Sequence, residues 1–152
     1  MRRFTYHHTN KVDRKGRVSV PATFRAALEA QNSGGTVYLT WNPDEGTIEG
    51  FGEAFMQDIE DRIDAMPIND PERRKAERRY FSNVHSLQID TDGRIILPKD
   101  LMQRAGIAES ATFVGLGRRF HVWETGAFEA RQGDEDDTEG VTLPRPDRGR
   151  DA

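Results

Sequence analysis

Hydrophobic and polar residues alternate in two short stretches of the chain that share one skeleton. The first, "KVDRKGRVSVP", covers residues 11–21, and the second, "QIDTDGRIILP", covers residues 88–98. Alternation with a period of two around a glycine predicts two strands joined by a tight turn. The aligned stretches match at Val12 with Ile89, Asp13 with Asp90, Gly16 with Gly93, Arg17 with Arg94, Val18 with Ile95, Val20 with Leu97 and Pro21 with Pro98. The pattern therefore predicts the same hairpin twice.

Each hairpin is followed by the same series of predicted elements. Its closing proline suits the first turn of a helix, and "ATFRAALEAQ" and "KDLMQRAGI" continue with apolar residues four positions apart. Gly106 suits the C-terminal cap of the second of these helices. Two strands come next in each half, "TVYLTW" with "TIEGF" and "ATFVGLG" with "FHVWE". Helices beginning in "EAFMQDIEDRIDAM" and "GAFEARQ" end the two halves.

The segment between the halves is helical and charged. Its first part carries an apolar stripe of Phe55, Ile59, Ile63 and Met66, which is typical of a face packed on a core. Its second part, "PERRKAERRYF", interleaves acids and bases, which predicts a solvated helix with ion pairs along it. The chain divides into a first module, a helical connector, a second module and an acidic tail that we expect to be disordered: residues 7–54, 55–83, 84–127 and 131–152.

The two modules are expected to depend on each other. Each module of roughly fifty residues could bury too little apolar surface to be stable alone. Two modules packed around a pseudo-twofold axis would share one core. The predicted fold class is mainly β with α, that is, α+β.

Charge is distributed unevenly along the chain, whose net charge is -4. Residues 1–25 carry a local charge of +6, residues 26–70 carry -9, and residues 71–104 carry +3. The basic segments contain the repeated hairpins. Because binding to a polyanion depends on where the charge lies, the negative total does not exclude nucleic acid as a partner.

The first hairpin concentrates candidate DNA-binding residues. A two-stranded ribbon fits the major groove, where arginine can bind O6 and N7 of guanine and lysine contacts phosphates. Asp13 can accept backbone N–H bonds at the turn, where Gly16 supplies positive φ, and can hold Arg17 in a fixed pose. The alternative is a solvated basic turn whose Arg17 only closes an ion pair. The candidate DNA-binding set is Arg2, Arg3, Lys11, Arg14, Lys15 and Arg17.

The second hairpin differs at its tip, where Asp92 stands in the position of Lys15. A carboxylate there would repel phosphate. We therefore assign Asp90, Gly93 and Arg94, like Asp13 and Gly16, a structural role or a secondary DNA contact. The first hairpin is expected to carry more of any DNA binding.

Other classes of function find little support in the sequence. The chain has no cysteine, which excludes disulfides and thiolate zinc sites. His7, His8, His85 and His121 lack metal-ligand spacing, and "GLGRRF" lacks the third glycine and the helix of a dinucleotide site. We expect no catalytic residue, metal, cofactor or small-molecule substrate. No secretory signal or apolar membrane span is apparent, so a cytosolic protein is expected.

The motifs "VDRKGRVSVPATFR", "QIDTDGRIILPKDL" and "VGLGRRFHVWE" together resemble the MraZ family of bacterial transcriptional regulators, from about Phe4 to Phe128. The resemblance implies a double swapped-hairpin AbrB-type barrel formed by two tandem SpoVT/AbrB-type modules of one chain. It implies a ring-shaped homo-oligomer that binds double-stranded DNA at tandem G-rich boxes upstream of its own gene. That gene begins the division and cell wall gene cluster, which such proteins usually repress, so the expected location is the cytoplasm and nucleoid.

The resemblance also ranks the candidate residues. Arg17 stands at the arginine that the family needs for DNA binding, and Arg3 is the nearest match to a basic residue near the start. The loop "TDGR" departs from the family's usual Lys-Gln-Gly-Arg. An AbrB-type antitoxin or interaction scaffold is the alternative, because such antitoxins have a disordered tail. The duplicated module and "FHVWE" favour the MraZ-like hypothesis.

Overall fold

Strands and short helices alternate along the computed structural model, which describes residues 2–134 and 138–146. The strands are β1 (His7–Lys11), β2 (Arg17–Ser19), β3 (Thr36–Asn42), β4 (Thr47–Phe51), β5 (His85–Gln88), β6 (Arg94–Ile96), β7 (Ser110–Gly115) and β8 (Phe120–Glu124). The helices are α1 (Ala22–Ala30), α2 (Glu53–Asp64), α3 (Pro71–Glu77), α4 (Lys99–Ala105) and α5 (Thr125–Gln132). A π-helical turn, Arg78–Ser82, continues from α3.

Six of the strands form one antiparallel sheet in the order β1-β7-β8-β4-β3-β5, and β2 pairs with β6 in a separate two-stranded ribbon. The predicted α+β class is confirmed. The sheet has free edges at β1 and β5, and no closed barrel is seen in the part of the chain that the structure describes.

Strands from the two halves of the chain interleave. β1 pairs with β7, so that His7 lies opposite Val114. β5 pairs with β3, so that Leu87 lies opposite Val37. β2 and β6 also come from different halves. Neither half can therefore satisfy the backbone hydrogen bonds of its strands without the other.

The predicted hairpins are wrong in their strand pairing. Both strands of each predicted hairpin are present and joined by a tight turn, but among the described residues β1 meets β2 only at the bridge of Val12 with Val18, and β5 pairs with β3 instead of β6. Local alternation predicts that a segment is a strand, whereas its partner is set by the packing of both halves.

The main core contains apolar side chains from both halves. Its centre is a group of aromatic rings, in which Phe4 lies 5.1 Å from Phe24 and 4.9 Å from Phe120 between ring centroids. Phe4 is fully buried although it precedes β1, because its N–H donates to the Gly117 carbonyl and its own carbonyl accepts from Gly117. Burial of one such ring stabilises the fold by roughly 1.5–3 kcal/mol. The start of the chain is thus fixed to the β7–β8 loop.

Helix boundaries follow the sequence signals with small shifts. Gly106 caps α4 in the left-handed conformation, as predicted. Pro21 and Pro98 lie at the N-cap positions of α1 and α4, just before the first helical turn in which they were expected. α2 begins two residues before the predicted connector and ends at Asp64, so Met66 lies beyond it.

The connector packs and pairs largely as its sequence predicts. Ile59 and Ile63 of α2 are buried in a second apolar cluster with Phe51, against which Phe55 is partly buried. Along α3, Lys75 pairs with Glu72 at 3.2 Å and Arg73 pairs with Glu77 at 3.4 Å, which confirms the predicted intrahelical ion pairs.

Helix α5 extends into the segment assigned to the acidic tail. α5 includes the first two residues assigned to the acidic tail, Arg131 and Gln132. Residues 138–146 are exposed, and the remaining tail positions, 135–137 and 147–152, lie outside the described residues. The expected disorder of the tail stays a prediction.

A buried carboxylate links the connector to the middle of the sheet. Glu49 of β4 is 3% exposed, and its oxygens accept from Arg79 at 3.2 Å and from the Tyr80 hydroxyl at 3.3 Å. Arg119 lies 3.4 Å from the same carboxylate. Partnered in this way, the charge can be buried at an acceptable cost.

His121 lies directly opposite Glu49 in the β4–β8 pairing and is 5% exposed. Burial, and after it the neighbouring Arg119 guanidinium, lowers the pKa of His121 to about 4. Its ring is therefore neutral at pH 7, where Nε2 can accept from Arg119 Nη1 at 3.2 Å.

Lowering the pH should destabilise the protein through His121. An unfolded histidine binds a proton near pH 6.5, whereas His121 in the folded chain does so only near pH 4. Between these values the unfolded state holds more protons, so stability falls as the pH falls, by about 3 kcal/mol in total. Urea unfolding from pH 7 to pH 4 should show this loss, and His121→Gln should reduce it. An unchanged pH dependence in the variant would contradict the buried neutral ring.

Gly50 of β4 lies between Leu39 and Phe120 on the neighbouring strands. A Cβ at this position would overlap the Phe120 ring and lie 2.9 Å from Leu39 Cδ2. Gly50→Ala should therefore destabilise the protein by roughly 1–3 kcal/mol in urea unfolding. Gly133→Ala is the control, because a Cβ there meets no atom closer than 3.5 Å. Equal effects of the two substitutions would argue against this packing.

Candidate nucleic-acid interface

Asp13 organises the turn between β1 and β2. Its Oδ1 accepts the N–H groups of Lys15 and Arg17, both at 2.9 Å, and its Oδ2 accepts from Arg17 Nε at 2.6 Å. Gly16 takes a φ of 82° and donates its N–H to the Asp13 carbonyl. The hydrogen bond from the Arg17 N–H is the main cause that lowers the pKa of Asp13. The predicted pairing of Arg17 with Asp13 is confirmed.

The second turn repeats this geometry with more negative charge. Asp90 accepts the N–H groups of Asp92 and Arg94 at 2.9 Å, and Gly93 has a φ of 79°. Arg94 lies 3.4 Å from Asp90 and 3.2 Å from Asp92. Arg94 therefore has two carboxylate partners where Arg17 has one.

The β2–β6 ribbon brings both arginines to one face. Arg17 lies opposite Ile96 and Arg94 lies opposite Ser19, with the pair of Val18 and Ile95 between them. Directly opposite residues point to the same side of a sheet. Val18 and Ile95 are 1% and 2% exposed, so Arg17 and Arg94 share the outer face as diagonal neighbours, roughly 7–8 Å apart at Cα.

The two turns lie at opposite ends of this ribbon. The Leu97 N–H donates to the Gly16 carbonyl at 2.8 Å, and the Val20 N–H donates to the Gly93 carbonyl at 2.9 Å. Each turn is thus held by the strand of the other half. We call the outer face of β2 and β6 with residues 13–16 and 90–93 the ribbon face.

Arg25 is a residue that the sequence analysis left unassigned. It lies on α1 and donates from Nε to the Val20 carbonyl at 3.2 Å, which places its guanidinium over the second turn. A Cβ added to Gly93 would lie 2.9 Å from Arg25 Cζ. Alignment of the two repeats could have pointed to Arg25, because it is equivalent to Met102 in the second half. Met102 packs against Gly16 in the same way that Arg25 lies against Gly93.

The other predicted basic residues divide into two groups. Arg14 and Lys15 are exposed at the first turn, and neither forms an ion pair within the described ranges. Lys11 ends β1 opposite Ser110, close to that turn. Arg2 and Arg3 precede Phe4, which is bridged to Gly117. Gly117 lies seven positions after Ser110, the partner of Lys11, which corresponds to roughly 23 Å of extended chain. Arg2 and Arg3 therefore lie beyond the end of β1 that is away from the first turn, and their contact with DNA stays a prediction.

Residues 2–134 and 138–146 contain neither a metal site nor a membrane-spanning helix. No group of three or more acidic or histidine side chains there could hold a metal ion. None of the helices in these ranges has the length and hydrophobicity needed to cross a membrane.

Comparison with known proteins places the chain among transcriptional regulators by name. A family model described as "MraZ protein, putative antitoxin-like" matches residues 80–139. Transcriptional regulator MraZ of Rhodospirillum rubrum is 40% identical over 135 residues, covering 88% of this chain and 86% of that protein. The regulator of the same name from Parvibaculum lavamentivorans is 39% identical over 130 residues, covering 86% and 81%. That of Gluconacetobacter diazotrophicus is 34% identical over 145 residues, covering 94% and 91%. The chain belongs to the MraZ family.

Removal of the Asp13 charge should release the Arg17 side chain. In Asp13→Asn the 2.6 Å charge-assisted bond is lost, so the Arg17 Nε–H should exchange with water several-fold faster, as measured by NMR. Asp90→Asn is the matched control and should leave the exchange of Arg17 unchanged. Equal exchange of Arg17 in the wild type and in Asp13→Asn would show that Asp13 does not hold it.

Proposed function

We propose that this protein is a sequence-specific DNA-binding transcriptional regulator that contacts DNA through the ribbon face. The observation that carries the proposal is the Arg17 side chain, which is exposed on one side and held by Asp13 on the other. Asp13 engages Nε, which leaves the terminal nitrogens of the guanidinium for a ligand. The names of the curated relatives support the class of function.

Arg17 is suited to reading guanine in the major groove. Two guanidinium nitrogens can donate to guanine O6 and N7, and a two-stranded ribbon is narrow enough to enter this groove. Because Asp13 fixes the side chain before binding, less conformational entropy is lost when the contact forms. Arg14 and Lys15 lie at the tip of the same hairpin and would contact phosphates.

The two hairpins are proposed to contribute unequally. Arg94 lies on the same face as Arg17 but faces two carboxylates, Asp90 and Asp92. These charges weaken attraction to phosphate. Arg25 supplies a compensating positive charge above the second turn, so we propose that this hairpin makes a secondary DNA contact.

A ring-shaped homo-oligomer would multiply these contacts. We propose that the subunits are AbrB-type barrels with swapped hairpins, and the interleaved pairing of the two halves supports this arrangement. Tandem G-rich boxes upstream of the protein's own gene and of the division and cell wall genes are the proposed target, with repression as the outcome. Several ribbon faces on one ring raise the effective concentration of each for the next box. In a ring, Arg2 and Arg3 of one subunit could lie beside the hairpin of another.

No enzymatic activity, cofactor or small-molecule substrate forms part of this proposal, and the proposed location is the cytoplasm and nucleoid. The curated relatives are named regulators and not enzymes. An antitoxin or interaction scaffold is the second candidate, favoured by the antitoxin-like description of the family model. In that case the protein would bind a partner protein in addition to DNA.

Arg17→Ala should lower affinity for DNA from directly upstream of the gene by at least about tenfold, since each bidentate guanine contact contributes roughly 1–3 kcal/mol. Fluorescence anisotropy at several salt concentrations measures this loss. Arg62→Ala is the matched control, because Arg62 lies on the acidic helix α2 with its side chain 75% exposed. A folded Arg17→Ala protein with wild-type affinity would refute the assignment.

A further inference from the structure

A basic cleft of about 580 Å³ lies between β3, the connector and α4, away from the ribbon face. Its defining residues are Trp41, Lys75, Arg78, Arg79, Tyr80 and Arg104. Asp44 and Glu72 also line it, so bases outnumber acids by four to two. The site already described uses none of these side chains.

Among the described residues, two of the positive charges in the basic cleft have no carboxylate partner. Lys75 pairs with Glu72 at 3.2 Å, and Arg79 is held by Asp44 at 3.5 Å and by buried Glu49. Arg78 and Arg104 form no ion pair with any described residue. Arg104 lies over the Trp41 ring, 4.6 Å from its centroid. The buried Arg79 Nε has no hydrogen-bond partner in the described part of the chain. The cleft is therefore prepared for an anionic occupant.

An apolar groove adjoins the basic cleft. It has a volume of about 340 Å³ and lies between α2 and the segment formed by α3 and the π-helical turn, and its α2 side is lined by Phe55, Ile59, Arg62 and Ile63, with Met66 just beyond. Ala76 and Tyr80 line both the groove and the basic cleft. A ligand that crosses this surface meets positive charge first and apolar side chains next.

The tail carries negative charge first and apolar side chains next, which matches the order of the basic cleft and the apolar groove. Residues 134–139, "DEDDTE", contain five acids and no base, and Val141 and Leu143 follow. Val141 is 70% exposed and Leu143 is 81% exposed.

We propose that residues 134–143 of one copy dock on a neighbouring copy, with the acids in the basic cleft and with Val141 and Leu143 in the apolar groove. A neighbouring copy is chosen because residues 138–143 are exposed in their own chain. The inference rests on the self-assembly included in the proposed function. It gives the acidic tail a role in joining subunits.

Charge reversal on each side tests the docking. Subunit association of the full chain is measured by sedimentation at low concentration and moderate salt. Arg78→Glu with Arg104→Glu should weaken association at least tenfold, and so should replacement of the five tail acids by lysine, because like charges then meet. Arg74→Glu is the matched control, since Arg74 is exposed on α3 and lines neither the cleft nor the groove.

The combined variant decides the outcome. When both sides are reversed, opposite charges face each other again, and association should return to near the wild-type level. The proposal would be overturned if the combined variant associated as weakly as the single-sided variants. It would also be overturned if neither charge reversal changed subunit association. If the tail docks on its own chain, the charge reversals should change tail mobility in NMR but leave subunit association as in the wild type. This result would also overturn the proposal.

The DNA-binding proposal is tested separately. Arg17→Ala should leave subunit association unchanged, because Arg17 lies on the ribbon face. A failure of tail docking would therefore leave DNA binding by the ribbon face intact, and a failure of DNA binding would leave the association result unaffected.

Discussion

Backbone pairing between the two halves of the chain is the constraint on which the rest of the structure depends. β1 completes the sheet beside β7, β5 completes it beside β3, and β2 has β6 as its partner. If either half were removed, these strands would lose their partners and the core cluster would lose one side. A module of this size buries too little surface to fold alone, so both halves must form together.

The same pairing builds the ribbon face. A strand of three residues is too short to hold a turn rigid by itself. β2 is rigid because Val18 and Ile95 are buried under it and because Gly16 and Gly93 each accept a bond from the other half. Rigidity matters for the proposed function, since an arginine that is fixed before binding loses less entropy when it meets a base.

Approximate symmetry of the two halves makes their chemical differences informative. Lys15 and Asp92 occupy equivalent turn positions, and so do Arg25 and Met102, which cover the turns of the opposite halves. The two turns therefore share a backbone and differ in charge. His121 and Glu49 show a comparable difference inside the sheet, where a neutral ring lies opposite a buried carboxylate that receives its charge partners from the connector and from Arg119.

Local patterns in the sequence were sufficient for the two tight turns, the helix cap at Gly106, the pairs β3–β4 and β7–β8 and the bond between Asp13 and Arg17, because each depends on residues only a few positions apart. Contacts between residues far apart in the chain could not be predicted from such local patterns. Which strands lie side by side determines the burial of Phe4, the close packing around Gly50 and the position of Arg25 over Gly93. Short-range periodicity fixes which face of a strand is apolar, whereas its partner is selected by the packing of the whole core, and only the tertiary structure decides that.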